Sequence, residues 1–300
     1  MPTASATSWP ALPVAAWADT LATLHLYTQV VGKIRLATTP LVNHFWNVPL
    51  YVSARGLTTS AMPYEGRSFQ MDFDFLDHQL IIRCSDGAEQ RLTLQPRSVA
   101  AFYHEVQRML AELGIKVRIW PVPVEIENPI PFAEDEQHAS YDPAAAQRFW
   151  RVLTLITPVL EQFRAGFIGK CSPVHFFWGS FDLAVTRFSG RLAPARPGAD
   201  GITREAYSHE VISHGFWPGG NGQEAAFYAY TAPAPAGFAE APVQPAAAFY
   251  SAELGEFLLP YEAVRTAPDP AAALRGFLDS TYAAGATLAG WDRAALERQS

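Results

Sequence analysis

Strict alternation of apolar and polar side chains in SFQMDFDF, residues 68–75, is the feature that most constrains the fold. A period of two residues is that of a β-strand with one buried face. QLIIRC at 79–84 follows as a second strand, and Asp86-Gly87 predicts a type I′ hairpin turn before QRLTL at 90–94. The chain therefore contains an antiparallel sheet with one face against a core.

Helical patterns flank these strands on both sides. Residues 14–36 place Trp17 and further apolar side chains at helical spacing on one face, and residues 98–113 form a second helix that Gly114 ends. The stretch VPLYVSARGL, residues 48–57, adds another strand. The first part of the chain is thus predicted as helix, strands, helix.

The same order returns after a Pro-rich passage at residues 120–142, which has the composition of a linker or an arm. Asp142-Pro143 opens a helix that runs to about Phe163, and Asp269-Pro270 opens a closing helix. Between these helices the patterns predict strands at about 174–188, 207–217 and 224–231.

The fold class is therefore predicted as α+β, with antiparallel sheets flanked by helices. We expect a first helix–sheet–helix half at residues 1–120, a Pro-rich connector at 121–142 and a second half at 143–300, packed as one compact unit.

Two stretches also suggest an internal duplication, because VGKIRLATTPLVNHFWNVPLYVSAR and IGKCSPVHFFWGSFDLAVTR share several residue types in the same order. The matched positions are Lys33 with Lys170, Phe45-Trp46 with Phe177-Trp178, and Arg55 with Arg187. The alternative is coincidence in an aromatic-rich chain. If the duplication is real, a cleft between the halves is the first place to expect a ligand.

Composition excludes several classes of protein. The net charge of −7 and the absence of a basic stripe argue against nucleic-acid binding. No run reaches the roughly 18 apolar residues of a membrane span, and the N-terminus lacks the basic start of a signal peptide, so we expect a cytoplasmic protein. The two cysteines, Cys84 and Cys171, stand in no metal-binding pattern.

Five phrases carry a resemblance to a known family: TLHLYTQVVGK, LYVSARGLTTS, SPVHFFWGSFDLAVTRFSGR, EAYSHEVISHGFWPGG and FYAYTAPAPAGF. The chain resembles, over nearly its whole length, a bacterial family catalogued only as a domain of unknown function. The resemblance implies one integral unit rather than a fusion. It implies no reaction and no catalytic residues.

The stretch 169–191 concentrates residues capable of chemistry. Alternation through FDLAVTRF places Asp182 on a face of small polar side chains and Arg187 on the other face. Arg187, with Arg55, is a candidate for binding a carboxylate or phosphate. The alternative is that Asp182 or Arg187 forms a buried ion pair with a structural role.

His175 and its neighbours form the second group of candidates. His175 could act as a general base or a metal ligand, with Trp178 as an apolar wall, or it could be a structural core residue. Lys170, beside Cys171, is a candidate ligand-binding cation that could also lower the pKa of the thiol, although an inert buried cysteine is the commoner outcome.

The third group lies in YSHEVISHGFW, residues 207–217. On one strand His209 and His214 face opposite sides, and Glu210 lies roughly 13 Å from His214, so one strand cannot supply two ligands to one metal ion. A metal site would need His175 from a neighbouring strand. His209 and Glu210 are candidates for acid–base chemistry, and Trp217 for an apolar wall.

A polar stripe, His25, Gln29 and Lys33, recurs every four residues on the first helix. It could line the same cleft, or it could be the solvated side of the helix.

Common dinucleotide, nucleotide-triphosphate, hydrolase and zincin motifs are absent from the sequence. The leading hypothesis is an enzyme acting on a small polar or anionic metabolite, with catalytic candidates His175, His209, Asp182 and Glu210 and ligand-binding candidates Arg187, Arg55, Trp178, Trp217 and Lys170. The alternatives are a non-catalytic ligand-binding protein and a protein-interaction module. The sequence specifies no cofactor, metal or oligomeric state.

Overall fold

A computed structural model describes residues 8–298 and confirms the α+β fold with seven α-helices and two antiparallel six-stranded sheets. The helices are α1 (Ala18–Thr38), α2 (Val99–Glu112), α3 (Pro143–Ala165), α4 (Gly201–Ala206), α5 (Tyr261–Arg265), α6 (Pro270–Leu288) and α7 (Arg293–Leu296). Short 3-10 turns occupy Val14–Ala16, Asn43–Phe45 and Phe132–Glu134.

The first sheet contains β1 (Tyr51–Val52), β2 (Gly56–Thr58), β3 (Met62–Tyr64), β4 (Arg67–Asp74), β5 (Gln79–Cys84) and β6 (Glu89–Thr93). Its order is β1-β2-β4-β5-β6, with β3 paired to β4. The second contains β7 (His175–Phe177), β8 (Asp182–Leu192), β9 (His209–Trp217), β10 (Ala226–Ala232), β11 (Phe249–Ser251) and β12 (Glu256–Pro260). Its order is β11-β12-β10-β9-β8-β7.

The chain divides into two compact units that do not follow sequence order. The first unit consists of residues 14–154 and 175–182, and the second of residues 8–13, 155–174 and 183–298. The Pro-rich passage lies within the first unit. Residues 1–7 and 299–300, at the ends of the two predicted halves, lie outside the described residues.

The alternation at residues 68–75 is confirmed by β4, whose apolar side chains are buried at 0–1% exposure. Met71 lies opposite Ile82 and Phe73 opposite Leu80 on β5. Asp74 is the exception on the polar face, because it is only 4% exposed. Its carboxylate accepts the backbone N–H groups of Leu76 and Asp77 as well as a guanidinium, so the buried charge is hydrogen-bonded.

The hairpin between β5 and β6 is confirmed, but the predicted type I′ turn is wrong. A type I′ turn needs positive φ at both central residues, and of the pair Asp86-Gly87 only Gly87 has one, at 90°. The loop closes through the Gly87 N–H to the Cys84 carbonyl and the Cys84 N–H to the Ala88 carbonyl. This is the pattern of a three-residue loop with one left-handed glycine.

Three predicted helix starts are confirmed by their caps. Ser98 accepts the N–H of Ala101 at the start of α2, and Asp142 accepts that of Ala144 at the start of α3. Asp269 accepts the N–H of Ala272 at the start of α6. These side chains satisfy backbone donors that a helix leaves free in its first turn.

The single strand predicted at about 174–188 is wrong, because the chain turns at residues 178–181 and gives β7 and β8. Phe181 adopts a φ of 59° in that turn. The turn contains Gly179 and Ser180, residue types that are common in turns, and they are the signal that the prediction of a single strand overlooked. In the second unit, β9 and β10 pack beneath α6, and their inward-facing side chains form its core.

The duplication is only suggested, since the matched motifs differ in local structure. Lys33 lies in α1 and Lys170 in a bend, and Phe45-Trp46 lies at a 3-10 turn while Phe177 ends a strand. Arg55 lies in a bend between β1 and β2, and Arg187 lies in β8.

Helix α1 is buried on nearly all sides rather than on one face. Within residues 8–298, none of the helices combines the length and apolarity of a membrane span. The cytoplasmic location stays a prediction from the sequence.

Candidate functional site

A cavity of about 140 Å³ lies in the second unit, where β9 and β10 reach the end of α6. It is lined by Glu210, Thr231, Ala232, Pro233, Ala234, Pro235, Ala289 and Trp291. Glu210 is a residue that the sequence analysis selected. The strands supply one wall, the Pro-rich turn after β10 supplies a second, and the residues that follow α6 supply a third.

Glu210 presents its two carboxylate oxygens differently. Oε2 accepts the Ser189 hydroxyl at 2.9 Å and the Arg191 guanidinium at 2.7 Å. Oε1 has no hydrogen-bond donor among residues 8–298. One oxygen of a half-buried carboxylate is therefore open to accept a hydrogen bond.

Two further lining residues carry buried polar atoms that lack a hydrogen-bond partner in the described part of the chain. Trp291 is 6% exposed and its indole Nε1 has no acceptor, while Thr231 is 5% exposed and its Oγ1 is unbonded. Buried polar atoms without a partner are uncommon in folded proteins. Gly285 leaves room for the hydroxyl, because a Cβ at that position would lie 2.4 Å from Thr231 Oγ1.

Arg191 links the carboxylate to the end of α6. Its Nη2 donates to the Ala289 carbonyl at 2.7 Å and its Nη1 to the Gly290 carbonyl at 3.3 Å. These carbonyls belong to the negative end of the helix dipole. One guanidinium therefore faces a full carboxylate charge and a partial negative charge.

Arg187 lies in the core of the second unit, at 3% exposure. Its guanidinium carbon is 3.5 Å from the centre of the Phe163 ring and 4.2 Å from that of Tyr282, and Nη2 donates to the Phe163 carbonyl near the end of α3. Burial lowers the pKa of Arg187 to about 10. No carboxylate of residues 8–298 forms a salt bridge with it. Its cation is held by rings and by a helix carbonyl.

The residues of 207–217 separate onto the two faces of β9. His214 is fully buried, and its Nε2 forms a hydrogen bond of 3.0 Å with the Thr281 hydroxyl. Burial holds the pKa of His214 well below its usual value. His209 lies beside Ser208, with 3.0 Å between its Nδ1 and the hydroxyl. Trp217 ends the strand and is half-buried. Within the described residues no group of three or more His, Cys, Asp or Glu side chains is placed to hold a metal ion.

His175 lies in the first unit and is 1% exposed. Three rings surround it edge-on, with centroid distances of 5.9 Å to Trp46, 5.6 Å to Tyr51 and 5.4 Å to Phe177. Trp178 packs against Gly32 of α1 and donates its indole N–H to the Val48 carbonyl at 2.9 Å. Both side chains are therefore packed inside the first unit.

The other charged candidates have protein neighbours of their own. Arg55 is paired with Asp74 at 2.5 Å and Asp77 at 2.7 Å. Lys170 lies 4.9 Å from the centre of the Phe188 ring, and burial lowers its pKa. Asp182 begins β8 at 7% exposure. Burial raises the pKa of Cys171 to about 11, which disfavours a reactive thiolate.

The polar stripe of α1 is buried rather than solvated. Gln29 donates to the Val124 carbonyl and accepts the Val124 N–H, both at 2.8 Å, and lies 3.1 Å from His25 Nε2. His25 contacts the Gly179 carbonyl at 2.7 Å, and burial lowers its pKa to about 4. Lys33 is 5% exposed and lies 5.9 Å from the centre of the Phe132 ring. The stripe attaches the Pro-rich passage to the helix.

Sequence reasoning missed Thr231, Arg191 and Trp291. Thr231 continues the alternation of β10, and Gly290-Trp291 follows the closing helix, so the patterns placed both near element ends. Thr231 and Trp291 are marked by buried polar atoms without partners, and Arg191 by its contact with Glu210. A linear pattern carries neither kind of information.

A family model described as a family of unknown function (DUF5996) matches residues 9–298. Neither the curated proteins nor the solved structures give a significant match.

Proposed function

The chain belongs to the family of unknown function DUF5996, and we propose its function from the geometry of the site. The protein binds a small polar metabolite in the cavity of its second unit. The observation that carries the proposal is a cavity lined by Glu210, which has one carboxylate oxygen open, and by Trp291 and Thr231, each of which has a buried polar atom without a partner in the described part of the chain.

The cavity is partly open to solvent, so its size indicates how much of a ligand it encloses rather than the size of the whole ligand. A volume of about 140 Å³ corresponds to four or five water molecules at roughly 30 Å³ each, or to an organic molecule of about four to six non-hydrogen atoms. Alanine and proline side chains at 232–235 provide an apolar wall without side-chain hydrogen-bonding groups. This combination of an apolar wall and a few polar atoms is typical of small-ligand sites.

The geometry favours binding over acid–base catalysis. None of the described residues that line the cavity is a histidine. Glu210 is paired with Arg191, which occupies one of its two carboxylate oxygens. Acid–base chemistry by His175, His209 or Asp182 stays a prediction, as does anion binding by Arg187 and Arg55.

The proposal is tested by following the indole N–H signal of Trp291 in two-dimensional NMR spectra. The signal is assigned as the one missing from the spectrum of Trp291→Phe. Pools of small carboxylates, amines, amides and hydroxy compounds are then added at millimolar concentration. We expect at least one pool to shift the Trp291 signal in a saturable manner, because Trp291 lines the cavity and a ligand bound there changes the surroundings of its ring.

Two matched variants control for nonspecific effects. Ala232→Leu fills the cavity and should abolish the shift, whereas Ala252→Leu adds the same atoms at an exposed position of the same unit and should not. The proposal is overturned if no pool shifts the signal, or if Ala232→Leu folds and binds as the wild type does.

A further inference from the structure

We propose that the first unit contains a docking site for an extended acidic segment of a partner protein, which pairs with residues 115–120 as an added β-strand. In this arrangement two carboxylates of the partner segment face Lys116 and Arg118, and an apolar side chain lies against Trp120. The residues of this site belong to a different unit from those that line the cavity, so the inference goes beyond the proposed function and does not depend on it.

Residues 115–120, IKVRIW, follow α2 without forming a helix, a turn or a bend. Every second side chain is exposed, namely Lys116, Arg118 and Trp120, whereas the side chains between them are buried or half-buried. This alternation is that of a β-strand with one face against the protein. The segment therefore has the shape of a strand, although no sheet includes it.

The backbone of this segment is open to a partner. The Lys116 N–H donates to the Tyr64 hydroxyl at 2.8 Å. From Val117 to Trp120, no backbone N–H or carbonyl group forms a hydrogen bond with another of residues 8–298. Extended backbone with unused donors and acceptors is the surface to which a peptide adds as a β-strand.

The exposed side of the segment contains two cations that lack a carboxylate partner. Neither Lys116 nor Arg118 forms a salt bridge with any carboxylate in the part of the chain that the structure describes. Residues two positions apart on a strand are separated by roughly 6.6 Å, at about 3.3 Å per residue. Carboxylates at alternate positions of an extended peptide have the same spacing, so two of them can face both cations at once.

A groove of about 310 Å³ lies beside the segment and is open to solvent. Its walls are formed by residues 116–118, the end of α1 and the turn that follows β3. Among the described residues that line it, Glu65 is the one carboxylate, and it stands against the two cations Lys116 and Arg118. The groove therefore has a net positive charge and attracts acidic groups.

Trp120 supplies an apolar contact at the end of the segment. Its side chain is 71% exposed, whereas the tryptophans at 9, 17, 178 and 291 are buried. Tryptophan is among the residues that most often contribute binding energy at protein interfaces. An exposed indole beside two cations thus provides both an apolar and a charged contact.

Two features favour a peptide over single-stranded nucleic acid, which also binds cations and exposed aromatic rings. The open backbone groups of residues 117–120 match the regular donors and acceptors of a peptide strand. The net charge of −7 opposes a polyanion more strongly than a segment with two or three carboxylates.

The test uses the full-length protein and labelled hexapeptides in which glutamate alternates with valine, threonine or tyrosine. Fluorescence anisotropy measures affinity, and the Trp120 indole signal in NMR spectra, assigned from Trp120→Phe, locates the site. We expect acidic peptides to bind and to shift that signal. Peptides with lysine in place of glutamate should bind at least tenfold more weakly, because they place like charges opposite Lys116 and Arg118.

A double variant tests the two cations. Lys116→Gln with Arg118→Gln should weaken the acidic peptides roughly tenfold, since two ion pairs are lost. The matched control, Arg151→Gln with Arg204→Gln, removes two other exposed cations and changes the net charge by the same amount. It should leave the affinity unchanged.

Backbone pairing is tested with two N-methylated forms of the peptide, one methylated at the glutamates and the other at the residues between them. Successive N–H groups of a strand point to opposite edges, so only one of the two forms should lose binding. The side chains are the same in both forms, and the comparison uses the wild-type protein.

The proposal is overturned if acidic peptides bind no better than their lysine counterparts, or if the Lys116 and Arg118 double variant binds them as the wild type does. It also fails if both N-methylated forms keep their affinity, or if a single-stranded oligonucleotide shifts the Trp120 signal and the acidic peptides do not. None of these measurements involves Trp291, so each proposal can fail without the other.

Discussion

At the scale of single residues, Arg187 carries its charge inside an aromatic core. A buried cation without a carboxylate is costly unless other groups replace its hydration. Here the rings of Phe163 and Tyr282 supply their negative faces, and the Phe163 carbonyl accepts a hydrogen bond near the helix terminus. These contacts give Arg187 a role in joining α3 to α6 within the second unit.

The partly buried carboxyl group of Glu256, on β12, should make the free energy of unfolding depend on pH. Burial raises its pKa from 4.5 to about 7. The folded state thus binds the proton more tightly than the unfolded state, and stability is lost as pH rises from about 4.5 to about 7. Above that range the loss is constant.

We therefore expect Glu256→Gln to raise the free energy of unfolding by about 1 kcal/mol at pH 8, a value that partial exposure to solvent keeps small. At pH 4 the variant and the wild type should be equal. Urea unfolding at both pH values checks this, with the exposed Glu253→Gln as the control. An equal effect of Glu256→Gln at both pH values would show that the charge is not responsible.

At the scale of secondary-structure elements, substituting alanine for a glycine should have opposite effects on stability in two helices. A Cβ on Gly32 of α1 would lie 2.3 Å from the Trp178 indole, whereas a Cβ on Gly276 of α6 would approach no atom closer than 3.9 Å. Alanine gains about 1 kcal/mol over glycine in an open helix position. We expect Gly276→Ala to stabilise by up to that amount and Gly32→Ala to destabilise by about 1–3 kcal/mol. Thermal unfolding measures both, and stabilisation by Gly32→Ala would contradict the close packing of Trp178.

Elements with a clear period or a cap were predictable from the sequence, and short ones were not. Alternation revealed β4, and the Asp-Pro pairs at 142–143 and 269–270 revealed the starts of α3 and α6. Strands β3 and β11 have three residues each, too few to establish a period. In the same way, the charge of Glu210 marked it as a candidate, but the unsatisfied N–H of Trp291 is a property of its surroundings.

At the scale of the whole molecule, the two units are interleaved along the sequence. Residues 8–13 belong to the second unit, where Tyr261 donates its hydroxyl to the Pro10 carbonyl at 2.8 Å and Trp9 lies 6.2 Å from the Tyr261 ring. Residues 175–182 belong to the first, where Phe176 pairs with Leu50. A cut at residue 142 therefore removes part of each unit.

We expect a fragment of residues 143–300 to lack a cooperative unfolding transition, since it loses the buried Trp9 and Leu12. Burying a large apolar side chain contributes about 1.5–3 kcal/mol, a large fraction of the stability of a typical domain. Circular dichroism and NMR dispersion of the fragment check this against the full chain. A dispersed spectrum and a sharp transition would show that the second half folds independently.

The contact of Tyr261 with Pro10 also determines how late the second unit can be completed during synthesis on the ribosome. These residues are 251 positions apart, which at about 5–20 residues per second corresponds to roughly 10–50 s of translation. During that interval Trp9 has no site to enter. A polypeptide that stops before residue 261 therefore leaves the apolar side chains of Trp9 and Leu12 without their packing site, and chaperones and proteases can recognise such an exposed apolar segment.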